Sequence, residues 1–209
     1  MRLNLLSVSV GRPRLLAVTA EGEPVFSGIA KARVQDDAVF VGRENIEGDG
    51  QADLRVHGGR DKAVYAYPAD HWPWWQSEHG LACAPNTFGE NLTLAGADET
   101  RVAIGDRFRW GDALLEVSQP RAPCFKLGIH AREDIPARMT VSARCGWYFR
   151  VVEVGFARID DALVRERDTG GPSVREAFAA ALHPRTPEAS RIRVREAVDL
   201  SPAWKRLVR

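Results

Sequence analysis

Along the first three-quarters of the chain, apolar and polar positions alternate with the two-residue period of β-strands. Leu3 to Val10, Val25 to Val34 and Ala38 to Val41 carry alternation or β-branched enrichment, separated by Gly, Pro and Asp. Ala63 to Tyr67 continues the pattern and stops at Pro68. The clearest hairpin runs from Asp106 to Trp110, through Gly111-Asp112, and back along Ala113 to Ser118, because Gly-Asp suits a two-residue turn needing positive φ. Trp147 to Val154 predicts a strong late strand. Short strands at close spacing favour a barrel or sandwich over an alternating βαβ sheet, so the expected class is mainly β within α+β.

Helical spacing enters locally. Pro68 at a first helical position, followed by Asp70, Trp72, Trp75 and His79, predicts a helix of two to three turns, with Pro73 in its first turn. The cluster of Trp72, Trp74 and Trp75 reads as the face packing that helix on a barrel. The last 50-odd residues change character. Asp168 to Pro172 reads as a linker, and Ser173 with Glu176 forms a capping box that opens a helix. Val174, Ala177, Phe178 and Ala181 lie on one face of that helix, which must stop near His183-Pro184. A second helix starts at Thr186-Pro187 and runs to about Ala197; a short third starts at Ser201-Pro202 and holds Trp204 and Leu207. The expected division is a β domain over 1–155 and a three-helix extension over 156–209, the extension covering one end of the barrel and burying Phe178 and Trp204.

Length supports that division: 209 residues correspond to about 1.4 average domains. A hydrophobic fraction of 44% and a charged fraction of 27% are those of a globular chain. The net charge of +1 gives no reason to expect a nucleic acid or an anionic membrane as partner. No stretch approaches the roughly 18 apolar residues of a membrane span, and Met1 to Val10 lacks a secretory h-region and cleavage site, so the expected location is the cytoplasm. Cys83, Cys124 and Cys145 are an odd, widely spaced set without a CxxC pair, which fits a reducing compartment rather than a disulfide framework. Of the basic residues, 25 are Arg and 4 are Lys, which fits either biased genome composition or a need for bidentate oxyanion binding.

Three segments carry candidate chemistry. In Gln119-Pro-Arg-Ala-Pro-Cys124-Phe-Lys126, two prolines stiffen the backbone, and Arg121 and Lys126 put positive charge near a thiol, which favours the thiolate that acts as nucleophile or soft-metal ligand. The alternative, a small buried core thiol, stands equally open on the residues alone. In Val56-His57-Gly-Gly-Arg60-Asp-Lys62, Gly58 and Gly59 permit an anion-binding nest to which His57, Arg60 and Lys62 add donors, although taken alone the segment reads as a glycine turn between two strands with solvated charges beside it. Asn86 to Leu92 offers Glu90 and Asn91 on a loop entering a strand. Dinucleotide, P-loop, α/β-hydrolase, zincin and kinase signatures are absent from the sequence.

Taken in order, His57-Gly-Gly-Arg-Asp-Lys62, Phe88-Gly-Glu-Asn-Leu92, Ile104-Gly-Asp106 and the cysteine segment resemble the MOSC domain, the family named for the C-terminal domain of molybdenum cofactor sulfurases. The resemblance covers most of residues 1–155, and the tail is similar to the three-helix extension of stand-alone bacterial MOSC proteins of the YiiM type. It implies a β-barrel that binds the molybdenum cofactor, with Cys124 as metal ligand or sulfur carrier. It also implies a pocket lined by His57, Gly58, Gly59, Lys62, Asn91, Arg121 and Lys126, with Arg60 at a variable position. Relatives include reductases of N-hydroxylated compounds such as amidoximes, hydroxylamines and hydroxylaminopurines. The implied activity is therefore a molybdenum-dependent reductase in which His57 donates a proton, Glu90 or water standing as substitutes. The alternative is sulfur transfer through a Cys124 persulfide; pyridoxal phosphate has also been proposed as a family ligand, for which Lys62 and Lys126 are the lysines in these loops. Without a four-cysteine ferredoxin segment, electrons would come from a separate flavin or iron–sulfur protein. The partners implied are thus a small N-hydroxylated substrate and an electron donor, with a homodimer left open.

Overall fold

A computed structural model of the chain describes residues 1–52 and 58–209. The Gly111-Asp112 turn folds β8 (Arg107–Trp110) back along β9 (Ala113–Pro120), setting Trp110 opposite Ala113 and Arg107 opposite Glu116. On the other side of β9 runs β10 (Trp147–Glu153), whose Trp147, Phe149 and Val151 are buried while Tyr148, Arg150 and Val152 are only partly covered, the period-two pattern expected of its sequence. Beyond β10 come β6 (Val64–Pro68), β7 (Leu92–Ala95) and β1 (Arg2–Val10). β12 (Leu163–Arg167) then pairs with both β8 and β1, where Leu3 faces Leu163. That last pairing closes seven strands into a barrel and removes its edges. The ladders are antiparallel except for β6 against β7, which is parallel.

Closure gathers the apolar faces inside. Leu3, Val64, Leu92, Leu94, Phe108, Leu115, Val117, Phe149 and Leu163 are fully buried, and Phe108 meets Phe149 edge-on at 5.9 Å. Two short ribbons lie outside the closed cylinder: β2 (Arg14–Val18) with β3 (Pro24–Ser27), and β5 (Ala38–Val41) with β11 (Gly155–Arg158). A two-residue strand, β4 (Ala32–Arg33), extends the edge of β1.

Several sequence expectations shift here. The run from Val25 to Val34 is not one strand; it breaks between Ser27 and Ala32, and the intervening residues turn inward to wall a cleft. Strands also continue past residue 155, since β11 and the barrel-closing β12 both follow it, so the expected end of the β region falls two strands early. The helix expected to open at Pro68 instead begins at Trp72, because Pro68 is the last residue of β6 and a 3₁₀ turn over Ala69–His71 intervenes. Within α1 (Trp72–His79), Trp75 is buried and donates to Tyr67 Oη at 2.5 Å, while Trp74 stacks beneath the Arg144 guanidinium at 4.0 Å. Two short helices follow β9, α2 (Phe125–His130) and α3 (Ile135–Ser142).

The three C-terminal helices are α4 (Val174–Leu182), α5 (Glu188–Glu196) and α6 (Pro202–Lys205). The capping box that opens α4 is complete: Glu176 N donates to Ser173 Oγ at 3.1 Å and Ser173 N donates to Glu176 Oε2 at 2.7 Å. Phe178 and Trp204 are buried together, and Ser201 ties the segment to β9 by donating its N–H to Ser118 O and its hydroxyl to Gln119 Oε1. Ser173→Ala removes the acceptor for one orphan helix N–H and is expected to cost about 1 kcal/mol. A thermal scan should show the midpoint falling by roughly 2–4 °C, as that cost translates for a chain of this size. Among the described residues no helix is long and apolar enough to cross a membrane.

Candidate functional site

An open cleft of about 630 Å³, its mouth included, lies where the ends of β3, β6, β9 and β10 meet the turns before β4, β6 and β7. That size is in the range of small-molecule and cofactor sites. Cys124 lines it, together with Arg121, Lys62, Lys126 and Asn91 among the residues expected from sequence. Lys31, Asp49, Tyr65 and Tyr148 also line it, and sequence reading did not single them out.

The cysteine loop owes its shape to its prolines. β9 ends at Pro120, which has no N–H to extend a ladder, and the chain turns away so that Cys124, in extended conformation, directly precedes α2. Cys124 is half-buried, against the sealed Cys145, whose thiol donates to Gly146 O at 3.1 Å. Burial pushes the Cys145 thiol well above the ordinary thiol range and lifts Cys83 to about 11, with Glu90 adding to the rise at Cys83. These two are inert sulfurs at neutral pH.

Beside Cys124 sits an unusual cation. Arg121 is 4% exposed, and among the described residues its side chain meets Cys124 Sγ at 4.0 Å, Met139 Sδ at 3.6 Å, the Tyr65 ring at 5.5 Å and the Tyr148 hydroxyl. Burial works against its charge, yet the Tyr65 and Tyr148 hydroxyls and the Cys124 sulfur hold the guanidinium protonated. Among the described residues no carboxylate pairs with it, and a buried positive charge so placed is costly unless an anion completes it.

The opposite wall is a buried ion pair. The Lys31 ammonium donates to Asp49 Oδ1, with side-chain exposures of 7% and 2%. Asp49 also accepts from Gly11 N at 2.9 Å and, through Oδ2, from Asn91 Nδ2 at 2.9 Å. Burial lowers the Lys31 ammonium from the usual lysine range, opposed by the Asp49 and Glu90 charges. Lys62 follows the glycine pair on a 3₁₀ turn over Arg60–Lys62, and burial lowers its ammonium too, against the pull of Asp61. Lys126 reaches across the mouth to donate to Phe26 O at 3.0 Å. Three of the chain's four lysines thus converge on one cleft in a protein that carries 25 arginines.

The remaining expected residues sort differently. Asn91 serves the frame: its Oδ1 accepts from Tyr65 N at 3.0 Å and its Nδ2 donates to Ser9 O at 3.1 Å, which leaves little of its amide for a ligand. Glu90 is fully buried and accepts from Asn86 N, Phe88 N and Thr93 Oγ1, so it braces its own loop rather than facing the cleft. Desolvation raises its carboxyl, opposed by those hydrogen bonds. Gly59 takes φ +81 and leads into the turn that carries Lys62, and Gly58 precedes it, but neither is among the lining residues. His57 lies outside the described residues.

Comparison with known proteins gives the following. The family model for the MOSC domain matches residues 53–164. The chain is similar to the uncharacterized protein YflK of Bacillus subtilis (strain 168), 44% identical over 155 residues, which are 74% of this chain and 69% of that protein. It is 39% identical over 191 residues to protein YiiM of Escherichia coli (strain K12), across 89% of this chain and 84% of that one. A protein of Gibberella moniliformis named Reductase is 36% identical over 72% of this chain, which spans only 27% of that longer protein. Among solved structures, YiiM from Geobacillus stearothermophilus superposes with a TM-score of 0.79 at 33% identity, over 98% of this chain and 96% of that one.

Proposed function

Because this chain belongs to the MOSC domain family, we propose that its cleft binds the molybdenum cofactor and reduces N-hydroxylated compounds, with Cys124 as the protein's ligand to the metal. The observation that carries this reading is the half-buried Cys124 sulfur beside the buried Arg121 guanidinium, which meets no carboxylate among the described residues, both lining a cleft that gathers three lysines.

The donor set fits that cofactor. Among the described residues no group of three His, Cys, Asp or Glu side chains stands ready to hold a bare metal ion. One cysteine plus several cations suits a metal that arrives inside an anionic organic ligand and takes a single soft ligand from the protein. When bound, the cofactor supplies two-electron, oxygen-removing chemistry. Cys124 would hold the metal, Arg121 would favour the sulfur as thiolate, and Lys62 and Lys126 would pair with the cofactor's phosphate. The fungal relative named Reductase supports the redox class. Electrons come from a separate donor protein in this reading.

The test is turnover of a panel of hydroxylamines, amidoximes and hydroxylaminopurines by protein made in a cofactor-competent host, with dithionite-reduced methyl viologen as donor. Reduction of at least one class to the corresponding amine or amidine, in proportion to molybdenum content, is the expected result. Full molybdenum occupancy with no turnover of any class would leave only a cofactor-binding protein.

A further inference from the structure

One wall of the cleft is a single strand thick. In β3, Ser27 is buried and lines the cleft, while Phe26, one residue earlier and so on the opposite side of the strand, is 50% exposed. The same step from inside to outside recurs at the cysteine. Cys124 lines the cleft in extended conformation, and Phe125, the next residue, is 62% exposed. Lys126 lines the cleft again and donates to Phe26 O at 3.0 Å, which ties the start of α2 to β3.

Further apolar surface surrounds these two rings. Leu15 stands opposite Phe26 in the β2–β3 register, and Val18 stands opposite Pro24 on the same face. Ile129 follows Phe125 by one helical turn on α2, which lies against β2. All three are exposed. Apolar side chains scattered singly over a surface are ordinary, but five gathered beside a reactive site mark an interaction surface.

We propose that this outer face of the cleft wall docks the electron donor, and that the donor is a small acidic protein giving one electron per encounter. The assignment rests on the reductase reading above. Two reduced carriers are consumed for each substrate: R–NH–OH + 2e⁻ + 2H⁺ gives R–NH₂ + H₂O, each carrier losing one electron and the protons coming from water.

Position, charge and size select that occupant. Phe125 is bonded to the residue that would hold the metal, so a partner seated on its ring comes within one residue of the site while the mouth of the cleft stays open to substrate. Arg12 and Arg14, exposed at the start of β2, enter no ion pair among the described residues, whereas Glu21 and Glu23 stand at the far tip of the hairpin. The end of the hairpin nearest the cleft is therefore positive and complements an acidic partner. A one-electron carrier must dock and leave twice in each turnover, and such brief contacts bury less than about 1,200 Å² in total. Five apolar side chains on one hairpin and one short helix suit that scale; an obligate dimer buries roughly 2,000 Å² or more.

The test measures turnover by cofactor-loaded protein with reduced methyl viologen, which needs no docking surface, and with two acidic carriers, a reduced flavodoxin and a reduced plant-type ferredoxin. Wild type is expected to take electrons from at least one carrier, with the apparent KM for that carrier rising as salt goes from about 50 to about 300 mM. Phe26→Ser and Phe125→Ser should each raise that KM at least about 10-fold, while viologen-driven kcat and substrate KM stay within about twofold of wild type. Arg14→Glu, a surface change that leaves the fold alone, should raise it at least about threefold at low salt and keeps the test decisive if a serine variant unfolds. An unchanged carrier KM in all three variants, or a viologen-active wild type that neither carrier drives, would overturn the proposal and leave the reductase reading standing. So would a substrate KM that rises in the viologen assay, which gives the patch to the substrate. A wild-type dimer by light scattering that Phe125→Ser splits would overturn it too, giving the patch to a second copy of the chain. A wild type inactive with viologen on every substrate class would overturn both readings.

Discussion

Cys124→Ala is expected to give a folded barrel that retains at least 10-fold less molybdenum than wild type and turns over N-hydroxylated compounds on the order of 100-fold more slowly or not at all. The thiol lines an open cleft and packs only half-buried at the edge of the core, so its loss should cost about 1 kcal/mol of stability, the centre of the range for single substitutions. The control is Cys145→Ala. That sulfur is sealed between β10 and the barrel core and donates to Gly146 O, whose residue also gives its N–H to Glu99 Oε1 at 2.6 Å. Its removal should lower the melting temperature while leaving metal content and turnover in place. Metal analysis, thermal scans and the viologen assay on the two variants read out opposite patterns. If Cys124→Ala keeps its metal while the intact mass of wild type gains one sulfur on Cys124 after incubation with a cysteine desulfurase, the cysteine is a carrier and the reductase reading falls.

The β character was legible where the signal is local: β10 alternates along its length, and the Gly111-Asp112 turn sets the β8–β9 hairpin. The α4 capping box was legible for the same reason, being entirely local. β12 was not: its Leu-Val-Arg-Glu-Arg alternates weakly, and it is held by closure against β1 and β8, contacts far away in sequence. The break between β3 and β4 was hidden because Ile29 and Ala30 continue an apolar run, and only the approach of distant backbone at Gly28 forces the turn. In the site, Cys124 and Arg121 could be found because proline-stiffened loops announce themselves. Lys31 and Asp49 could not be paired by inspection, since a lone lysine after Ile-Ala and an aspartate between two glycines look like solvated loop charges. The signal available was scarcity: with 4 lysines against 25 arginines, each lysine position merited scrutiny.

The backbone around that hidden pair yields the second large effect. Gly28, Gly50 and Gly11 bring three loops together behind the cleft, so closely that a Cβ on Gly28 would lie 2.2 Å from Gly50 O and 2.9 Å from Gly11 O. Both obstacles are main chain, which cannot rotate away as a side chain does, so one loop must move. Gly50 O is the nearer obstacle, and displacing the loop that carries Asp49 and Gly50 breaks the hydrogen bond from Gly11 N to Asp49 and pulls the carboxylate from Lys31 and Asn91. Gly28→Ala is therefore expected to cost about 3 kcal/mol, at the upper end of overpacking penalties, and to lower the melting temperature by roughly 6–12 °C. Gly22→Ala supplies the contrast. It sits at the β2–β3 tip with φ +86 and nothing within 4 Å of its Cβ, so it pays backbone strain alone, about 1 kcal/mol, and should leave metal content untouched. Because the cleft wall moves only in Gly28→Ala, that variant should also lose molybdenum while Gly22→Ala keeps it. A Gly28→Ala protein as stable and as metal-replete as wild type would mean that these three loops do not hold the cleft open, and that the Lys31–Asp49 pair is fixed by something other than the backbone around it.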